Sequence, residues 1–177
     1  MAEIEHHAGW ELEDRSPESI CAGVAKVFRV LNTEVALLEL SGNLLNFLYP
    51  LELRAAGAIP LSSSAVAART ARSRQSELFN GFTQVKHFSV FELVKLGDSG
   101  LDDQVIQKLM SAPVLDKNGD VIGVIQVSRK APRPAAAGPD FTPEDLQKLE
   151  AVARFVGTLM AGTLMAKGTA IAQASSI

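Results

Sequence analysis

The sequence predicts an α+β domain in which an antiparallel sheet is covered on one face by helices from the two ends of the chain. Two observations carry this prediction. Asn118-Gly119 joins two apolar runs, and an Asn-Gly pair in that setting is the strongest short-range signal of a β-hairpin. Apolar residues with helical spacing, preceded by capping residues, occur near both chain ends, at 20–31 and 146–160.

The first helix is predicted to begin after Ser16 and to end near Asn32. Ser16 can cap the helix, Pro17 suits its first position, and the carboxylate of Glu18 favours the positive end of the helix dipole. Apolar residues then recur at three- and four-residue steps, at Ile20, Val24, Val27, Phe28 and Leu31.

The next segments predict a hairpin followed by a mixed region. Residues 33–40 and 44–49 are short apolar runs around a Ser-Gly-Asn turn, which is typical of two antiparallel strands. Pro50 either ends the strand pairing or places it at a sheet edge, and 51–61 is expected to be partly extended.

The middle of the chain gives weaker signals. The Ala-rich run 65–73 predicts a short helix after three serines, and 76–79 is a short strand candidate. Residues 81–96 are ambiguous, although phenylalanine and valine at every third position indicate some helix.

The last hairpin is predicted over 108–115 and 121–129, with its turn at 117–120. Strand alternation would place side chains of the second strand on opposite faces of the sheet. One set is Val121, Gly123, Ile125 and Val127, and the other is Ile122, Val124, Gln126 and Ser128.

The final helix is predicted from Thr142 to about Ala166, after a Pro- and Ala-rich loop at 130–140. Thr142 and the acidic residues that follow Pro143 are typical of a helix start. The domain is therefore expected over 16–166, with a flexible lead-in at 1–15 and a flexible tail at 167–177.

Composition excludes several classes of protein. The chain has 177 residues, 47% of them hydrophobic, which suits one globular domain. Its net charge of −3 offers no basic surface for nucleic acid. The longest weakly charged apolar stretch, 155–166, is shorter than the roughly 20 residues that span a bilayer. A single cysteine and an acidic start without a secretory signal fit the cytoplasm.

Several stretches together resemble the GAF domain family. The matching residues are 58–61, 65–70, 78–80, 110–114, 119–127 and 141–146, so that the resemblance covers roughly 16–165. Ser62 stands where the family usually has glycine. The resemblance implies a central antiparallel sheet of about six strands, terminal helices on one face, a small-molecule pocket on the other, and homodimers formed through the terminal helices.

The more specific functions of the family are only partly matched. Lys130, Phe141 and Asp145 fit the motif of cyclic-nucleotide-binding members, whereas Arg129 and Leu146 replace its Asn and Glu. The resemblance implies an ion pair between Lys130 and Asp145 that ties the last loop to the last helix.

Neither a chromophore, a metal nor a cofactor is expected. Cys21 lies on the predicted first helix, away from the pocket, and one cysteine cannot both attack and resolve as the methionine sulfoxide reductases of this fold require. His6 and His7 are in the lead-in. His87 lies near the predicted pocket mouth and is more simply a packed or solvated side chain.

The ligand-binding candidates are an aromatic wall with a few polar anchors. They are Phe79, Asn80, Phe82, His87, Phe88, Phe91, Ser111 and Gln126. Gln126 is a polar residue inside an apolar strand, so it faces either a ligand or solvent. Arg69, Arg72 and Arg74 fit a solvated helix face better than an anion site, and no convergent set of catalytic groups is visible.

The sequence thus predicts a regulatory module without catalytic activity, which binds an unknown small organic molecule and signals through the packing of its terminal helices in a homodimer. The alternative is a dimerisation or scaffold module whose pocket has closed. Neither nucleic acid nor a membrane is an expected partner.

Overall fold

The computed structural model describes residues 15–82 and 105–174, with side chains as far as Gly162 in the last helix. The elements in chain order are α1 (Pro17–Phe28), β1 (Val35–Ser41), β2 (Leu44–Tyr49), α2 (Leu51–Arg54), β3 (Ala58–Pro60), α3 (Val66–Ser73), β4 (Glu77–Phe79), β5 (Val105–Leu115), β6 (Val121–Ala131) and α4 (Pro143–Ala174).

One six-stranded antiparallel sheet joins all the strands in the order β3-β2-β1-β6-β5-β4. The two long strands β5 and β6 form its centre with β1. The predicted α+β class is therefore confirmed, and so is the expected number of about six strands.

The hairpin turn between β5 and β6 forms where Asn118-Gly119 predicts it. Gly119 has a φ of +81°, a region that glycine enters without a steric penalty. The carboxylate of Asp116 accepts hydrogen bonds from the backbone N–H groups of Asn118 and Asp120, at 2.8 and 3.0 Å. A side chain before the turn therefore satisfies backbone donors that the strand ladder leaves open.

The predicted division of β6 between the two faces is wrong at its first residues. Val114 pairs with Gly123 and Leu115 pairs with Val121, which leaves Ile122 as the extra residue of a β-bulge. Val121 consequently packs on the opposite face from Ile125, while Ile122 packs on the same face as Ile125.

Both terminal helices start at the predicted caps. The hydroxyl of Ser16 accepts a hydrogen bond from Ser19 N at 3.2 Å. Thr142 and Asp145 cap reciprocally, because Asp145 N donates to the Thr142 hydroxyl and Thr142 N donates to the Asp145 carboxylate.

The ends of the two helices differ from their predicted positions. The first helix stops at Phe28, where Arg29 adopts a left-handed backbone conformation with a φ of 54°, four residues before the expected Asn32. The last helix continues past the expected Ala166 to Ala174.

The region between β2 and β4 contains one element that the sequence does not predict. Residues Leu51–Arg54 form a single helical turn, so that only Ala58–Pro60 of the expected extended segment is a strand. The α3 helix and β4 lie where they are predicted. The expectations for 83–96 and for the 1–14 part of the lead-in fall outside the described residues.

The sheet separates two apolar clusters. We call the face covered by α1 and α4 the helix face. Its cluster includes Cys21, Val24, Leu37, Ile125, Val127, Leu149 and Val156. We call the opposite face the α3 face. Its cluster includes Ala36, Leu38, Leu45, Phe47, Leu53, Ile59, Ala68, Phe82, Leu109 and Val124.

Within the described ranges, no helix combines the length and the apolar character needed to cross a bilayer.

Candidate functional site

Three polar side chains form a continuous hydrogen-bonded file on the α3 face. The Gln126 amide nitrogen lies 3.1 Å from the Ser111 hydroxyl, and that hydroxyl lies 2.8 Å from the Thr70 hydroxyl. Thr70 donates to the backbone carbonyl of Val66 at 2.9 Å. We call Gln126, Ser111 and Thr70 the polar file.

The sheet register and the composition of α3 place these residues together. Ser111 and Gln126 are direct partners in the β5–β6 ladder, and their side chains point to the same face. The buried side of α3 is mostly alanine, with Ala67, Ala68 and Ala71 among its buried residues. Because these side chains are short, the helix approaches the sheet closely enough for Thr70 to reach Ser111.

The polar file is buried among apolar residues. Thr70 and Ser111 have no exposed surface, and Gln126 is 6% exposed. Of the two positions predicted for Gln126, exposure to solvent is therefore wrong. An isolated buried hydroxyl or amide costs about 1–3 kcal/mol, so the bonds within the file offset most of the cost of burying it.

Two of the predicted aromatic residues contact each other on the same face as the polar file. The rings of Phe79 and Phe82 meet edge to face, with centroids 6.0 Å apart. Phe82 is 1% exposed within the α3-face cluster, whereas Phe79 is half-buried. The Arg69 guanidinium lies 5.6 Å from the centre of the Phe79 ring.

Asn80 is bonded to the backbone rather than directed at the polar file. Its amide nitrogen donates to Phe141 O at 3.0 Å, and its amide oxygen accepts from Phe141 N at 2.9 Å. The end of β4 is thereby fastened to the residue before Thr142, which caps α4. We call this arrangement the Asn80 clamp.

The remaining predicted ligand residues, His87, Phe88 and Phe91, lie outside the described residues. The described part of the site therefore consists of Phe79, Phe82, Ser111 and Gln126, together with Thr70. Sequence reasoning missed Thr70 because a threonine in a short Ala-rich helix has no distinctive pattern. Its signal is positional, since it follows Val66 by one helical turn on the buried side.

The arginines of the α3 region are engaged with the protein. Arg69 forms an ion pair with Glu77 at 2.9 Å. Arg72 donates to the backbone carbonyls of Leu61 and Ser63. Arg74 lies 4.0 Å from the carboxylate of Asp120, and both side chains are exposed. These contacts bind α3 to its neighbours in the fold.

The predicted ion pair between Lys130 and Asp145 is wrong. Lys130 donates from its ammonium group to Thr33 O at 2.9 Å, and the Asp145 carboxylate is used in the cap of α4. A different lysine ties the last loop to the sheet. Lys108, which is 6% exposed, donates to Gly138 O at 2.7 Å and to the Asp140 carboxylate at 2.6 Å.

The chemistry of two titratable groups is changed by their surroundings. Burial lowers the pKa of the Lys130 ammonium, and the Glu34 carboxylate acts in the opposite direction. Burial and, to a lesser extent, the Glu18 carboxylate raise the pKa of the Cys21 thiol. Cys21 lies on the helix face as predicted, so that its thiol is protonated and separated from the polar file by the sheet.

Acidic, histidine and cysteine side chains do not converge on a cation site in 15–82 and 105–162, where no three of them are placed to hold a metal ion.

Comparison with known proteins agrees with the fold. Residues 16–160 match the GAF domain family, and the chain belongs to this family of regulatory and sensory domains. A comparison with curated protein sequences found no significant match.

Solved structures share this fold at low sequence identity. The GAF domain of a phosphoenolpyruvate-protein phosphotransferase from Acinetobacter superposes with a TM-score of 0.66 at 12% identity, over 94% of each chain. That of the corresponding Coxiella burnetii protein gives 0.67 at 7% identity, over 95% of this chain and 94% of the other. The reduced form of fRMsr from Staphylococcus aureus gives 0.55 at 17% identity, over 89% and 93%.

Proposed function

We propose that this domain is a cytoplasmic regulatory module that binds a small organic molecule on its α3 face. It has no catalytic activity of its own, and it passes the binding signal to the terminal helices of a homodimer. Nucleic acid and membranes are not its partners.

The single observation that carries the proposal is the polar file. The α3 face buries Gln126, Ser111 and Thr70 on the same side of the sheet as an apolar cluster that includes Phe82 and Leu109. Pockets for small molecules combine an apolar lining with a few placed polar groups in this way. Replacing hydrogen-bonded buried partners with apolar residues of the same shape can be neutral or stabilising, so a face that served only as a core would not need these groups.

The non-catalytic assignment is supported by the position of the chain's only cysteine. A thiol must be accessible and ionised to act as a nucleophile. Cys21 is buried under the opposite face with a raised pKa, and the sequence contains no second cysteine to resolve an oxidised intermediate. The likeness to fRMsr therefore concerns the fold.

The route of the signal is supported by the Asn80 clamp and by the length of α4. The clamp connects β4, which borders the α3 face, to the start of α4. The helix has 32 residues, or about 48 Å, and it continues from Met160, which packs in the helix-face cluster, to Ala174. A shift at its start would be carried along a rigid element to this extension.

Native mass spectrometry of freshly purified protein tests the proposal, because it measures bound molecules and oligomeric state together. We expect a dimer that retains one small molecule per protomer and releases it when the protein is denatured. A monomer would contradict signalling within a dimer. A dimer from which no molecule is released, and which binds none from a metabolite extract, would contradict ligand binding.

The scaffold alternative is favoured by one observation on the same face. Several large apolar side chains there, among them Phe82, Leu38 and Leu53, are buried with at most 1% exposure. If the α3 face is a closed core, the dimer is the function. The empty dimer described above is the outcome that supports this alternative.

A further inference from the structure

We propose that Gln126 selects ligands that donate a hydrogen bond, and that Thr70 fixes this selection from a distance. The inference rests on the proposed function, since it concerns a small molecule bound at the α3 face. It names the chemistry of that molecule: an amide, amine or hydroxyl donor is accepted, and a group that only accepts is disfavoured.

The argument begins with the protons of the polar file. A carbonyl oxygen can only accept, so the hydroxyl proton of Thr70 is used in its bond to Val66 O. The Thr70 and Ser111 hydroxyls are 2.8 Å apart and share a hydrogen bond. Because Thr70 has no second proton, Ser111 is the donor in that bond.

The same count fixes the orientation of the Gln126 amide. Ser111 has spent its single proton on Thr70, so it can only accept from Gln126. The atom of Gln126 that faces Ser111 at 3.1 Å must therefore be the amide nitrogen. The reverse orientation would set the amide oxygen against the lone pairs of the serine.

The amide oxygen is consequently directed away from Ser111. Among the described residues, no group donates to it. The residue that pairs with Gln126 on the β1 side is Ala36, whose side chain has no polar atom. Gln126 is 6% exposed, so a ligand that covers the amide oxygen displaces water from it. A ligand that supplies an N–H or O–H group replaces the bond to water, whereas a group that only accepts leaves the covered oxygen unpaired, which is costly. The order of donors and acceptors in the polar file therefore favours ligands that donate a hydrogen bond to Gln126.

A matched pair of probes measures the preference. Benzamide and acetophenone are flat aromatic molecules of nearly the same size, suited to the apolar surroundings of the file, and both have a carbonyl oxygen. Only benzamide has N–H donors. Dissociation constants from ligand-observed NMR on the full chain should show benzamide binding about tenfold more tightly, the value of one net hydrogen bond.

The Thr70→Val variant tests the role of the proton order. Valine has the shape of threonine without its hydroxyl, so Ser111 regains a free proton and can donate to Gln126. The amide can then turn its oxygen to Ser111 and present its nitrogen to the ligand. We expect the two probes to bind this variant within about twofold of each other, and Thr70→Ser to restore the tenfold preference.

A second variant does not depend on the turning of the amide. Gln126→Leu removes the acceptor and retains an apolar side chain of similar size, so it should also bring the two probes within about twofold. Thermal unfolding of each variant checks that it is folded, and the Gln126→Leu result decides the question if Thr70→Val does not fold.

The outcomes separate this inference from the proposed function. Equal binding of the two probes to the wild type would overturn the inference and leave ligand binding intact. A tenfold preference that persists in a folded Thr70→Val or Gln126→Leu variant would also overturn it. If neither probe binds the wild type at millimolar concentration, the ligand-binding face and the inference both fail.

Discussion

The two faces of the sheet bury similar apolar residues but differ in their buried polar side chains and in the partners that these side chains bond to. The helix face is filled by side chains such as Leu37, Ile125 and Leu149, and its buried lysine, Lys108, is bonded to the loop at 138–140. The α3 face contains the polar file among its apolar residues. Both faces bury large apolar clusters, and the α3 face also buries a group of polar side chains that bond to one another.

Neighbouring leucines of β1 provide the most direct test of this difference. Leu37 faces the helices and Leu38 faces α3, and neither has any exposed surface. We expect Leu37→Ala to lower the free energy of unfolding by about 4 kcal/mol and Leu38→Ala by about 2 kcal/mol, because water that bonds to the nearby polar file can occupy the second cavity.

Urea unfolding of both variants measures the two losses. Equal losses would show that the α3 face is packed as tightly as the helix face, and they would favour the scaffold alternative.

A close contact on the helix face should give the next largest loss of stability when it is disturbed. A Cβ atom added at Gly157 of α4 would collide with the backbone carbonyl of Leu115 at the end of β5. Gly157→Ala should therefore move the helix and cost about 2–3 kcal/mol. Gly162 lies in the same helix, and a Cβ atom added there would meet only the end of the Arg15 side chain, at an ordinary contact distance of 3.9 Å. Gly162→Ala should therefore stabilise by about 0.5–1 kcal/mol. Chemical denaturation compares the pair, and a tolerated alanine at 157 would refute the close seating of α4.

The Asn80 clamp connects the two faces, and its loss should have a smaller, local effect. Asn80→Ala leaves the backbone N–H and C=O of Phe141 without their partner, at a cost of about 1–2 kcal/mol. The amide of Phe141 should exchange faster with solvent, as measured by hydrogen-exchange NMR. Asn43→Ala, at an exposed turn residue, is the control. Unchanged exchange at Phe141 would remove the clamp from the signalling route.

The smallest effect concerns the titration of Cys21. Its folded pKa is raised, so above the ordinary thiol value of about 8.5 the unfolded state loses a proton that the folded state keeps. Stability should therefore fall as the pH rises above about 8.5, by up to about 1.4 kcal/mol per pH unit from this group.

Comparison with Cys21→Ala isolates most of this contribution, because the titration of Lys130 is common to both proteins. The pKa of Tyr49 is raised first by burial and only second by Cys21, so that its titration changes less than that of the thiol itself. Unfolding free energies between pH 8 and 10 should decline less steeply in the variant. Identical slopes would mean that the thiol ionises in the folded state.

Local chemistry explains which parts of the fold could be predicted from the sequence. The Asn118-Gly119 turn and the caps at Ser16 and Thr142 each depend on residues within four positions of one another, and all three formed as predicted. Apolar periodicity likewise located the two terminal helices. The predicted helix ends were less accurate. The first helix stops early because Arg29 adopts a left-handed conformation, which its residue type does not predict.

The features that could not be predicted depend on contacts between residues that are far apart in the sequence. Asn80 and Phe141 are 61 positions apart, and nothing near either of them predicts their bonds. Lys130 matches the family motif, yet its ammonium group bonds to Thr33 O, and Lys108 instead bonds the last loop to the sheet. Ser111 and Gln126 were predicted as separate candidates. Only the register of β5 and β6, with α3 above them, joined them to Thr70.

The sheet ends at both edges in strands of only three residues, β3 and β4. The first finishes at Pro60, which has no backbone N–H to offer, and the second contains Glu77, held in an ion pair with Arg69. Edge strands this short offer few backbone hydrogen-bonding groups to a strand of another molecule. Pairing between the sheets of two copies along β3 and β4 is thereby disfavoured.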